Sequence, residues 1–289
     1  MVVHKDENMN CISCGNSSLV IYSHISYLQL PVLLCQDCNL FMTGNSSSEL
    51  EITLKNYYKK NLTIDTVMKT IESDHNNNYG KYLTNLWKSH YTYCRPFLHS
   101  SKNLLEIGPG TGLALRMFED SGFNVTGIES NENYVKFINQ KLKKGRCVKG
   151  FFEDVELDQR FDVIWLSHCF EHVVRPDLLL KKCKNHLSDK GFIFIAVPDC
   201  DNINTLKSSI FENASSFHFT KNALRKIAKK TGFRIEKCDS VRELVKIEGR
   251  IETMLHKYLK ILSRKTCPYY PFKVTNKKNG IEIRLILRH

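Results

Sequence analysis

Residues 104–112, Leu104-Leu105-Glu106-Ile107-Gly108-Pro109-Gly110-Thr111-Gly112, set an acid in front of three glycines at alternate positions. Glycines spaced this way let bare backbone turn sharply and approach a ligand closely. The dinucleotide fingerprint needs its third glycine three positions after the second, and that position is Leu113. A carboxylate at Glu106 would repel a pyrophosphate, whereas it suits a ligand carrying an ammonium and a sulfonium. A second acid, Glu129, follows about twenty residues on, where a carboxylate can accept hydrogen bonds from two ribose hydroxyls. Different chemistry lies upstream. Cys11-Ile12-Ser13-Cys14 and Cys35-Gln36-Asp37-Cys38 are two CxxC knuckles with 20 residues between them. Two such pairs supply four thiolates to one tetrahedral zinc, and Gly15 and Asn39 behind them suit the positive φ of the return turns. Four thiolates leave no open coordination position, so such a zinc is structural.

These residues need elements to hold them. Leu104–Ile107 predicts a buried strand, and Leu113–Ser121 an amphipathic helix ending at the C-cap residue Gly122. Strands are predicted over 124–129 and 146–150, with a helix over 133–143 between them. Phe161–Ser167 is nearly all apolar, as a strand buried on both faces requires. Helix 176–187 and strand 192–197 follow, then helix 221–231 with Thr220 as N-cap, and a strand starting at Phe233. Residues 281–287 close the chain as a further strand. Strands alternating with helices give an α/β fold with a mostly parallel sheet. Between the knuckles, 19–22 and 30–34 predict short strands of a zinc ribbon, and 79–98 predicts a helix lying across the start of the catalytic region. Val241–Leu262 repeats apolar residues at helical spacing, with Arg242, Lys246, Arg250, Lys257 and Lys260 on its other positions.

The glycine segment resembles the first motif of class I S-adenosylmethionine-dependent methyltransferases, and with Glu129, the segment 161–173 and the paired CxxC the resemblance covers nearly the whole chain. It implies a seven-stranded Rossmann-like sheet with S-adenosylmethionine held by Glu106, Gly108, Gly110, Gly112, Glu129 and Ser167. It also implies an adenine beside the turn Phe151-Phe152-Glu153-Asp154. Phe151 stands where that family often has an Asp, so stacking on Phe152 and a backbone contact near Glu153 are expected instead. Glu171-His172 resembles the Glu-His pair of small-molecule O-methyltransferases of the ubiquinone pathway and of sugars. An imidazole there suits proton removal from a hydroxyl, the competing reading being that His172 only packs and caps the next helix. His218 falls in a loop that lines the acceptor pocket in related enzymes, and is a second candidate base or a structural histidine. The combination resembles ribbon-bearing methyltransferases of bacterial and archaeal surface-polysaccharide and glycolipid clusters, which implies a small-molecule, sugar or lipid-linked acceptor. An RNA methyltransferase and a scaffold that kept the fold are the alternatives.

Composition is that of a globular protein, with 42% hydrophobic and 25% charged residues in 289. The expected organisation is a ribbon over 1–45, connecting helices over 46–98 and a catalytic domain over 99–289 with a basic helical insert at 241–278. The net charge of +12 comes from residues 201–289, where 20 Lys and Arg stand against 8 Asp and Glu. That excess suits an anionic acceptor or a membrane surface met by the insert, or simply a solvated face. The first residues lack a signal-peptide pattern and no run reaches the ~20 apolar residues of a membrane span. With the cysteines arranged for metal rather than disulfides, a cytoplasmic protein is expected, peripheral at a membrane if the basic insert binds one.

Overall fold

A computed structural model describes residues 9–76, 78–98, 102–243 and 272–289. The chain begins with three short strands, β1 (Leu19–Ser23), β2 (Val32–Cys35) and β3 (Phe41–Thr43), followed by helices α1 (Ser47–Asn61), α2 (Ile64–Asn76) and α3 (Asn78–Cys94). The alternating part runs β4 (Asn103–Ile107), α4 (Leu113–Asp120), β5 (Asn124–Glu129), α5 (Glu132–Lys141), β6 (Arg146–Lys149), β7 (Phe161–Ser167), α6 (Pro176–His186) and β8 (Leu187–Pro198). It ends with α7 (Ile203–Phe211), β9 (Phe217–His218), α8 (Lys221–Lys230), β10 (Arg234–Glu243), β11 (Phe272–Thr275) and β12 (Glu282–Arg288).

The large sheet has the order β11-β10-β12-β8-β7-β4-β5-β6. Strands β8, β7, β4, β5 and β6 are parallel, while β12 is antiparallel to both β8 and β10. This is the class I methyltransferase arrangement, with one strand more than the seven expected. The addition is β11, which pairs on the end of β10 where helical spacing predicts the start of a helix: Val241 is matched to Val274 on one side and to Glu282 on the other. Strand pairing, on both edges at Val241 and with β11 alone at Arg242 and Glu243, therefore overrides helical spacing there. The rest of the expected basic helix, at 244–262, lies outside the described residues. Strand β8 also starts earlier than predicted, because Leu187 pairs with Phe161 ahead of the main ladder. Helix α7 is an addition to the predicted elements. Its N-cap is Asn202, whose side chain accepts from the Asn204 N–H.

Both faces of the sheet are covered, and the strands show it residue by residue. Leu104, Val163, Trp165, Phe192 and Phe194 pack toward α3 and α4. Leu105, Ile107, Ile164, Leu166, Ile193 and Ile195 pack toward α6, α8 and the ribbon. Successive side chains point to opposite faces, so continuous apolar runs are what a doubly covered sheet demands.

The ribbon is sewn onto this body. Its antiparallel sheet has the order β1-β2-β3-β9, so the last strand comes from residues 217–218. The Thr220 hydroxyl, which caps α8 through the Ala223 N–H, also donates to the Cys38 carbonyl at 3.3 Å. Asn222 donates to the same carbonyl at 3.2 Å, Lys230 donates to the Ile12 carbonyl at 2.9 Å, and Ser13 donates to that of Ala223.

Candidate active site and metal centre

The four knuckle cysteines converge as their spacing predicts, with sulfurs all within 4.8 Å of one another. Cys11 and Cys38 are 3.5 Å apart and Cys14 and Cys35 3.6 Å. Ligands at about 2.3 Å from a tetrahedral zinc stand about 3.8 Å apart, so this set fits such an ion. The return turns are at Gly15 (φ 83°) and Asn39 (φ 60°). Their N–H groups donate to the carbonyls of Cys11 and Cys35.

At the carboxyl ends of the strands, the glycine loop leads from β4 into α4. Gly108, Gly110 and Gly112 all have positive φ, of 68°, 54° and 73°. The three have different neighbours. A Cβ on Gly108 would lie 2.6 Å from the Cys169 sulfur and one on Gly112 2.7 Å from Ile138, so both are packed against protein. A Cβ on Gly110 would meet nothing within 4 Å, so of the three only Gly110 faces open space. Glu129 holds this loop in shape. Its carboxylate accepts from the Gly110 N–H at 3.2 Å, the Asn131 N–H at 2.9 Å and the Ser130 hydroxyl at 3.3 Å. Burial raises its pKa, against the pull of those bonds.

Glu106 lies beneath the loop, 2% exposed. Burial pushes its carboxyl up to about 8, although the Leu115 N–H donates to it. Among the described residues its Oε2 meets no hydrogen-bond partner, and neither does the Ser167 hydroxyl at the end of β7. A buried carboxyl with an unmet oxygen fits a cationic ligand group above it, as the chemistry of the acid suggests.

A cavity of about 530 Å³ opens over this loop. One wall is Gly108–Thr111, Leu113, Ser167 and His168, and the other comes from the connecting helices, including Lys69 and Asp74 of α2 and Tyr79, Leu83 and Trp87 of α3. The end of α2 is tied down by the Thr111 hydroxyl donating to Asp74 at 3.0 Å and by Arg116 donating to His75 at 3.3 Å. The sequence presents α2 and α3 only as a lead-in, yet they close one side of the cavity. The available signal is Tyr79, Leu83 and Trp87, one helical face at steps of four.

The other predicted residues are distributed unequally. Phe152 is buried 2% exposed beneath Lys182 and against His186, while Phe151 is 50% exposed. The ring expected to stack on a ligand is thus committed to the core, and Phe151 is the ring left free. Glu153 is exposed on the same turn. Glu171 is buried, with Oε1 3.6 Å from His168 Nδ1 and 3.8 Å from His172 Nε2. His172 is partly exposed and donates from Nδ1 to the Ala214 carbonyl at 3.0 Å, which leaves Nε2 as its bare nitrogen.

His218 lies elsewhere, in β9 at the ribbon seam. Thr43 gives its own proton to the Ser215 carbonyl, so His218 Nε2–H donates to Thr43 at 3.1 Å and Nδ1 accepts from Ser209 at 2.7 Å. Burial pushes its pKa down to about 3, and the nearby His172 pushes the same way. Both nitrogens are engaged within the fold, which suits the structural reading of His218 rather than the base. His172 stands next to the cavity, across Glu171 from the histidine that lines it, His168. Its loop is marked by the sequence pattern, but the Glu-His pair three residues on draws the attention there.

A profile of the family described as methyltransferase domain matches residues 79–237. The chain belongs to that family. An uncharacterized methyltransferase of Alkaliphilus oremlandii is 29% identical over 112 residues, covering 38% of this chain and 50% of that protein. A ubiquinone biosynthesis O-methyltransferase of Coxiella burnetii is 26% identical over 100 residues, 33% of this chain and 43% of that protein. The match thus spans about half the length of these curated relatives or less. Among solved structures, the plantazolicin methyltransferase BamL, in complex with a triazolic desmethylPZN analog and SAH, superposes with a TM-score of 0.56 at 12% identity, covering 83% of this chain and 96% of that one. Likeness at that identity speaks for the fold.

Proposed function

We propose that this methyltransferase-family chain moves the methyl group of S-adenosylmethionine onto an oxygen of a small-molecule, sugar or lipid-linked acceptor. The observation that carries the reading is the cavity in which the open side of Gly110, the unpartnered Ser167 hydroxyl and His168 face one another. Gly108–Gly112 with Glu106 and Glu129 would hold the donor, which supplies a sulfonium-activated methyl. A displacement of this kind needs alignment above all, and walls from α2 and α3 restrict how two molecules can meet over the loop. His172 Nε2, bare because Nδ1 is spent on Ala214, takes the acceptor proton. Glu171 stands beside that nitrogen to face the imidazolium as it forms. The four-cysteine cluster holds a structural zinc. Support for oxygen as the target comes from the Glu-His pair and from the O-methyltransferase relative.

The test is transfer from labelled donor into fractionated small molecules, lipids, glycans and RNA, with His172→Ala in parallel. Label in the small-molecule, glycan or lipid fraction, reduced about 100-fold in the variant, is the expected result. Label in RNA alone would overturn the acceptor class, and an undiminished rate would remove His172 as the base.

A further inference from the structure

His168 differs from the rest of the cavity wall. It has φ 51°, a left-handed conformation that costs a non-glycine residue energy and is retained where the surroundings enforce it. Here the enforcement is visible on two levels. The backbone N–H donates to the Ala196 carbonyl at 2.8 Å, and the ring sits between two carboxylates. Its Nε2 lies 2.9 Å from Glu282 on the closing strand, while Nδ1 is 3.6 Å from Glu171. Glu282 is itself gripped: His90 Nε2 of α3 donates to both of its oxygens at 2.9 Å, and Arg284 Nε donates at 2.5 Å. Arg284 extends the cluster by donating to Ser89 at 2.8 Å.

These contacts form one line of alternating groups: His172, Glu171, His168, Glu282, then His90 and Arg284. The geometry points to Glu282 as a positioning residue for methyl transfer, acting through His168 to keep Glu171 fixed beside the base nitrogen of His172. The inference rests on the reading of His172 as base. The acceptor O–H bond breaks toward His172 Nε2, the acceptor oxygen closes its new bond to the methyl carbon as the carbon–sulfur bond breaks, and the proton later leaves to water. During this step the new imidazolium faces Glu171 Oε1 at 3.8 Å, so its surroundings depend on where Glu171 is held.

Glu171 is buried, and the His168 ring lies between it and Glu282. Burial alone would lower the His168 pKa, but Glu171 and Glu282 lift it to about 10. Burial likewise would raise Glu282, yet His90, Arg284 and the bond from His168 hold it well below the carboxylate range. His90 is kept neutral, pushed down to about 4 by burial. Among the described residues, the titratable and charged groups around His168 are Glu171 from its own turn, Glu282 and Arg284 from β12 and His90 from α3, with Lys69 and Asp74 on the far wall.

The experiment uses the full chain labelled with nitrogen-15 histidine, with His168→Gln assigning the resonance. In the wild type, His168 keeps both ring protons past pH 8. In Glu282→Gln it loses one with a midpoint moved toward about 6.5, Glu282→Asp falls between, and calorimetric affinity for S-adenosylmethionine changes less than about threefold. With the labelled acceptor fraction, Glu282→Gln lowers kcat about tenfold or more while the donor KM stays near its wild-type value. Combining it with His168→Gln adds little to either single effect. His168→Gln removes the half-exposed link and gives the same kinetic readout if Glu282→Gln does not fold. An ordinary titration of wild-type His168, or an unchanged kcat in these variants while His172→Ala is inactive, would overturn the inference alone. An active His172→Ala would instead overturn the base assignment beneath it.

Discussion

The ribbon seam and the cavity wall each contain a histidine gripped at both ring nitrogens, and the two are driven to opposite charge states. At the seam, His218 has hydroxyls as partners, and one of them, Ser209, gives its proton to Nδ1. A second ring proton would break that bond and leave a buried charge with no counter-ion, so the ring stays neutral. At the cavity, His168 meets two carboxylates and is kept charged. At His168 the two carboxylates together outweigh burial, whereas at His218, whose hydroxyl partners carry no charge, burial decides. The seam is built to hold two parts of the chain together. The cavity wall is built to hold charge in place.

The largest expected effect tests whether the seam depends on the zinc proposed for its four cysteines. Removing zinc with a chelator should destabilise the protein by about 5 kcal/mol or more, since four thiolates crowded together have no other reason to stay. Thermal unfolding with metal analysis checks this, and an unchanged Tm in metal-free protein would break the structural reading. His218→Ala should cost about 3 kcal/mol, from a lost buried ring and the loss of the Ser209 hydroxyl's acceptor. Denaturant unfolding should show a much smaller loss for His168→Gln, whose side chain is 38% exposed. Equal losses would erase the contrast.

The glycine loop sharpens it from the other side. Gly108→Ala should destabilise by about 2 kcal/mol or more, through the Cys169 clash and positive φ. Gly110→Ala should cost only about 1 kcal/mol yet fill the open cradle, so calorimetry should find S-adenosylmethionine affinity reduced. Tight binding to that variant would place the donor elsewhere.

The smallest effects concern pH. His218 and His90 have folded pKa values of about 3 and about 4, below the unfolded imidazole at about 6.5. The unfolded chain binds more protons in that window, so their contribution is present above pH 6.5 and lost as pH falls toward 4 and 3. His168 runs the other way: its contribution is present below about 6.5 and lost as pH rises through about 10. Melting temperatures across pH should therefore fall at both ends, with His218→Asn flattening the acid limb and His168→Gln the alkaline one.

Much of this can be read from residue types because the physics is local. The CxxC pairs carry their own turns, the glycine loop carries its own backbone freedom, and the apolar run 161–167 can satisfy only a strand covered on both faces. What escapes depends on pairing at a distance. Nothing near Phe272 announces a strand until β10 offers it an edge, and nothing near residue 217 announces that β9 completes the ribbon sheet. Phe151 and Phe152 are chemically identical neighbours, and only the pleat of the chain into the core separates the buried ring from the free one. Glu282 reads in the sequence as one polar position in a closing strand. Its link to His168 joins positions 114 residues apart, which no short motif encodes.

Strand β3 pairs with β9, and the Thr43–His218 bond within that pairing spans 175 residues. During synthesis the ribbon emerges early, and β3 must wait as a bare edge until the sheet strands β4 to β8 have been made. An exposed edge is a template for pairing with another chain, and a contact this distant in sequence forms late. Metal-loaded knuckles can order the ribbon at once, but its fourth strand arrives only near completion. A nascent chain truncated before residue 217 should therefore self-associate through β3, and a full-length chain should lose that tendency as β9 docks.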